Sequence, residues 1–146
     1  MSEVNAIVPA ESSKPKRRVL NIVFWIVQVL LALIYLTAGY QKAFLPFDAI
    51  VQTIFWVAYV PHALVRFIGV SELLGAIGLV VPAATKIQPR LTTIAAAGLA
   101  LIMASATIMH AVRGEYSVLP FTLPLFYLNA FVAYGRTRLV PFASKK

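Results

Sequence analysis

Glu72 is the single carboxylate in the apolar run RFIGVSELLGAIGLVVPAATK, residues 66–86. On insertion scales an acid at the centre of a membrane helix costs about 2.5–3.5 kcal/mol, so such a side chain faces protein or water and has a partner. Candidate partners stand on two other apolar stretches: Tyr35 and Lys42 late in the first, His110 late in the third. With Lys42, Arg66 and Arg113 marking a membrane boundary, the helical rise places Glu72 roughly 9 Å inside it, Tyr35 about 10 Å and His110 about 5 Å. Arg66 lies six positions before Glu72 and points about 120° away from it on a straight helix, a poor direct partner. A carboxyl, an imidazole and a phenol at one depth suit hydrogen bonding to, or proton exchange with, the oxygens of a small lipophilic ligand. Desolvation favours the neutral carboxyl, which is a donor. Glu72, His110, Tyr35, Lys42 and Arg66 are therefore the candidate ligand-binding residues.

Each of these residues also has a purely structural reading. Glu72 would fix helix register through hydrogen bonds in the core, and a lone His110 would be an ordinary interface histidine. Lys42 and Arg66 would be headgroup anchors whose stems lie along the helix. Arg136 and Arg138 would enforce topology. Gln28 and Asn129 form a possible second polar layer, interhelical bonds worth about 0.6 kcal/mol on average. Gly69, Gly75 and Gly78 surround Glu72 and would let neighbouring backbones approach closely.

Several chemistries are excluded or disfavoured. The chain has no cysteine, which removes disulfides, thiol redox chemistry, Cys-ligated zinc and iron–sulfur clusters. Two histidines are too few for a His-rich metal site, and His62 stands at the extreme end of its span, against a bis-His haem. No metal is expected. No phosphate-binding loop, dinucleotide fingerprint, HExxH or nucleophile elbow is present, so a catalytic activity of the chain's own has little support.

The elements that must position these side chains are membrane helices. Of 146 residues, 60% are hydrophobic and 12% charged, too little charge to cover a soluble domain of this length. Residues 19–41 carry no charge and exceed the ~20 needed to cross a bilayer. Further spans are expected over 63–81, stopped by Pro82, over 91–112, and over 116–135, where Pro120 and Pro124 kink or delay the first turn. Between Pro46 and Pro61 the apolar Phe47, Ile50, Val51, Ile54, Phe55 and Ala58 share a helical face. That pattern predicts a short interfacial helix between spans 1 and 2.

The fold class expected is an all-α membrane protein, a four-transmembrane-helix bundle over 19–138. A disordered tail over 1–18 precedes it and a basic tail over 139–146 follows. The net charge of +8 flanks the spans rather than interleaving with aromatics on a polar face, which disfavours nucleic acid and reads as topology. Ten of the lysines and arginines fall on one side, in residues 1–18, the 82–90 loop and residues 136–146, and Lys42, Arg66 and Arg113 on the other. Both termini are therefore expected in the cytoplasm, with the polar pocket in the outer half.

AGYQKAF at the end of the first span, RFIGVSELLGAIGLVVP, the Ala-rich third span ending MHAVRGE, and AYGR at the end of the fourth form an ordered set. Over residues 33–138 it resembles the DoxX-like membrane proteins, with matching positions Lys42, Arg66, Gly69, Glu72, Gly75, Pro82, His110 and Arg136. The resemblance implies four transmembrane helices in a bacterial cytoplasmic (inner) membrane. It also implies association with quinone-linked or other membrane redox systems in some relatives, and membrane-protein assembly in others. The leading expectation is a bundle whose pocket binds a quinone-like ligand within a redox complex, through Glu72 and His110. An accessory or assembly subunit of a larger membrane complex and a small oligomeric transporter, built as a homo-oligomer, are the alternatives.

Overall fold

The computed structural model describes residues 13–142. Five α-helices follow one another: α1 Ser13–Phe44, α2 Phe47–Thr53, α3 His62–Thr85, α4 Arg90–Val112 and α5 Leu119–Tyr134. Four apolar segments are long enough to span a membrane: Lys14–Phe44, His62–Thr85, Arg90–Val112 and Tyr116–Leu139. The all-helical, multi-pass architecture expected from hydropathy is the one observed.

The boundaries differ from expectation in four places, each for a local reason. α1 runs beyond 19–41 at both ends, because Lys and Arg are good helix formers and extend an already nucleated helix cheaply. Ser13 to Arg18 are thus helical rather than part of the expected tail. Residues 1–12 and 143–146 of the expected tails lie outside the described residues. The short helix between spans is broken: α2 stops where Ile54 leaves helical geometry, and a 3₁₀ turn, Phe55–Tyr59, replaces its second half.

α3 does not stop at Pro82; it passes through it to Thr85 and ends on Lys86 in the left-handed conformation. A proline removes one backbone bond to the carbonyl four residues earlier, and in a packed membrane helix neighbours absorb that loss. Here that earlier residue is Gly78, with no side chain to crowd the ring. The fourth span opens with a 3₁₀ turn, Tyr116–Val118, and closes with a π turn, Gly135–Leu139. The turn before it needs Gly114, whose φ of 74° is the left-handed region.

α3 packs on α1 and on α4, and α4 on α5; α5 meets α1 only lightly. The spans alternate in direction. The start of α1, the α3–α4 loop and the end of α5 share a terminal end, and α2 and the α4–α5 turn share a connection end. Phe24, Leu31, Leu79, Leu99 and Val132 fill the core, while Leu33, Leu74, Leu101 and Ile108 point outward to lipid. The backbones of α1 and α3 approach closely. A side-chain carbon placed on Gly69 would lie 2.6 Å from the Ala43 backbone nitrogen, and one on Gly39 would lie 2.8 Å from the Gly69 carbonyl oxygen. Only glycine permits that approach.

Candidate functional site

Close packing of α1 on α3 sets the geometry of the site. Gly69 leaves room for the Lys42 stem, whose Cβ would be 2.8 Å from any Gly69 side-chain carbon. Lys42 can therefore turn inward, where its Nζ donates to both oxygens of Glu72 at 2.6 and 2.8 Å. Both residues are buried. Of the three expected partners of Glu72 the structure selects Lys42, and Lys42 is an internal ion-pair partner rather than a headgroup anchor. Arg66 is not a headgroup anchor either. It donates to the carbonyls of Lys42 at 2.8 Å and Leu45 at 2.7 Å, satisfying the open carbonyls at the end of α1.

The pair lies on the wall of a cavity of about 490 Å³ in the connection half of the bundle. Tyr35 and Lys42 come from α1, Glu72 from α3, His110 from α4 and Thr122 from α5, with Trp56 over the top. Three of the four helices' polar groups expected at one depth thus share one chamber, while Arg66 stays outside its walls. Trp56 is held there by the break in α2: Val57 beside it is buried with Ile50 and Val65. Its ring meets the edge of His110 at 6.1 Å.

His110 does not bond Glu72. Its Nδ1 lies 2.6 Å from Oε2 of Glu115, a residue the Gly114 turn folds back beneath it. Arg113 donates to the other Glu115 oxygen at 2.7 Å and lies over the Tyr59 ring at 4.4 Å. The His110 bond first, and the Arg113 bond second, hold the Glu115 carboxyl below the usual carboxylate range. With Nδ1 turned to Glu115, the opposite ring nitrogen of His110 is left for the cavity it lines.

Tyr35 accepts a hydrogen bond from the Asn129 amide, which also donates to the Leu125 carbonyl at 2.7 Å. The expected Gln28–Asn129 layer is therefore two separate features. Asn129 serves the cavity, whereas Gln28 donates to the Leu79 carbonyl and accepts from Arg136 Nε, both at 2.6 Å. Arg136, expected as a topology signal, is buried. Of the three glycines around Glu72, Gly69 meets neighbouring backbone, whereas Gly75 faces the Leu99 side chain and Gly78 the Ala95 methyl.

Two wall residues escaped sequence reasoning. Thr122 is buried, lines the cavity, and its Oγ1 has no hydrogen-bond partner among the described residues. The signal was its spacing, seven residues before Asn129 and three before Leu125 on one helical face. Trp56 carried no signal, since nothing in the sequence marks the α2 break. Among the described residues no three metal-ligating side chains come together.

The chamber is thus mainly apolar, with a ring of polar groups holding unspent capacity: a third N–H on Lys42, the Tyr35 and Thr122 hydroxyls, and one nitrogen of His110. Such walls suit a ligand with an apolar body and one or more oxygens, and the volume is within the ~300–1,000 Å³ of small-molecule sites. Comparison with curated proteins and with solved structures gives no match. The model of the DoxX-like family matches residues 26–132, which reach into all four spans and include every polar residue of the cavity. The chain belongs to the DoxX-like family and is a multi-pass membrane protein.

Proposed function

We propose that the cavity binds a small lipophilic molecule bearing carbonyl or hydroxyl oxygens, of the quinone type, and that the protein serves a membrane redox system as its ligand-binding subunit. The observation that carries this reading is Thr122: a buried hydroxyl without a partner, on an apolar wall beside Lys42, Tyr35 and His110. A buried polar group left unpaired costs about 1–3 kcal/mol unless something completes it. Lys42 and the hydroxyls would donate to ligand oxygens. His110, backed by Glu115, would accept or return a proton at the nitrogen facing the cavity. Glu72 would hold Lys42 in place, and Arg66 the backbone that carries it. A quinone would supply the electron-carrying chemistry; the chain's own groups bind, orient and exchange protons. Phe67, Leu101 and Phe121 on the rim are exposed, so entry would be sideways from the bilayer. With both termini in the cytoplasm of a bacterial inner membrane, the cavity lies in the outer half.

Native mass spectrometry of protein purified in mild detergent tests this. The expected result is one small lipophile on the wild type, lost or strongly reduced in Lys42→Met and in Thr122→Val. A protein carrying only bulk lipid in all three forms overturns the ligand reading. Copurification with a larger subunit, without a lipophile, would instead favour the accessory role.

A further inference from the structure

We infer that the terminal end of the bundle carries a second site, for the phosphate group of an anionic lipid. A cleft of about 390 Å³ opens there, walled by Lys14, Arg17, Arg18 and Asn21 of α1, Lys86 of the α3–α4 loop, and residues 140–142. Four cations thus converge on one space. The carboxylates among the described residues are Asp48, Glu72 and Glu115, and all belong to the connection half. Nothing acidic among the described residues balances the cleft.

A fifth cation stands directly behind its wall. Arg136 is only 3% exposed. Its Nη1 donates to Asn21 Oδ1 at 2.6 Å and its Nε to Gln28, both neutral acceptors, and its Nη2 has no partner among the described residues. The Phe142 ring covers the guanidinium at 4.0 Å from its centroid. Asn21 and Phe142 therefore touch Arg136 on one side and the cleft on the other. A buried guanidinium with no counter-charge among the described residues is costly, and at low local dielectric its field reaches the nearest open space with less screening than in water. That space is the basic cleft, and its complement is a multiply accepting oxyanion such as phosphate.

The position selects a lipid as the source. Val19 and Ile22, one turn into the membrane on α1, are exposed, so the cleft lies where the apolar span meets the headgroup layer. Cations at that level gain from anionic lipid in a way that soluble phosphate does not reproduce. If the cations only set topology, they would show no preference among lipids in a purified protein.

The chain has two tryptophans, one at each end, which makes the test direct. In a full-length Trp56→Phe protein the remaining Trp25 sits 5.7 Å from the Arg136 guanidinium and 6.0 Å from the Phe142 ring. Its emission is titrated in neutral-detergent micelles with short-chain phosphatidylglycerol, with phosphatidylcholine of the same chain length, and with inorganic phosphate. The expected result is a saturable change with phosphatidylglycerol at a midpoint at least about tenfold below that for phosphatidylcholine, and about tenfold higher again in Arg17→Gln/Arg18→Gln/Lys86→Gln. Equal response to the two lipids, or an unchanged midpoint in the triple variant, overturns the site. An equal response to inorganic phosphate overturns the lipid assignment in favour of a free-anion site. Lipid adducts on the wild type by native mass spectrometry give the same discrimination if a variant does not fold.

Discussion

Lys42 and Glu72 hold one another inside the bundle, so each is expensive alone. Removing one partner of a buried ion pair leaves an uncompensated charge, at about 3–5 kcal/mol, whereas replacing both is far milder. Lys42→Met and Glu72→Gln are each expected to lower the unfolding midpoint in detergent sharply, and the double variant to recover much of the loss. Additive losses would show that the pair is not coupled. Glu115 gives a pH signature at the other side of the cavity. Its carboxyl is held below the ordinary value of 4.5 by His110 and then Arg113. Its contribution is therefore complete above that value and fades as the pH falls through the lower, folded value. Emission of Trp56, followed in a Trp25→Phe protein, should report this acid loosening of the α4–α5 turn, and Glu115→Gln should remove it. At this scale the sequence exposed the unusual residue and not its partner: hydropathy singles out Glu72, but Lys42, Tyr35 and His110 were equal candidates until the Gly39–Gly69 approach decided between them. A cation at a span's end looks the same in sequence whether it faces headgroups or, like Arg136, the buried Gln28.

Helices place these groups by how closely they approach. At Gly69 a methyl group would meet Ala43 backbone at 2.6 Å, whereas at Gly98 it would meet nothing within 4 Å. Gly69→Ala is therefore expected to cost about 1–3 kcal/mol by forcing α1 and α3 apart. Gly98→Ala should be neutral or raise stability by up to about 1 kcal/mol, from helix propensity alone. Thermal unfolding in one detergent compares the two directly, and equal effects would mean that the α1–α3 contact does not depend on glycine. Lys86, with φ of 59° at the end of α3, is a non-glycine residue in a glycine position. Lys86→Gly should relieve about 1 kcal/mol of that strain while weakening binding at the basic cleft. The spans were legible because 20 or more apolar residues leave few alternatives to a membrane helix. Their ends were not. Pro82 is a stop signal in water and tolerable in a packed membrane helix, and the α2 break depends on where Ile50, Val57 and Val65 meet.

Across the whole molecule the polar groups divide into two stations. The connection half holds the described acids, the cavity and Trp56; the terminal end holds Trp25 and cations that no described acid balances. The cation excess at one end was legible from sequence as a count, but a count cannot tell a diffuse topology signal from a cleft with a buried arginine behind it. The two stations should respond independently: a cavity variant such as Thr122→Val should leave the Trp25 lipid response unchanged. Sequential packing also sets an order of birth. α1 meets α3, α3 meets α4 and α4 meets α5, so each span finds its neighbour soon after leaving the ribosome. Lys42 must wait for a residue 30 positions later, which at about 5–20 residues per second is a few seconds of synthesis. Gln28 must wait for Arg136, 108 positions on. The first and last helices are thus latched only when the chain is nearly finished, by the bonds that Asn129 and Arg136 make back to α1.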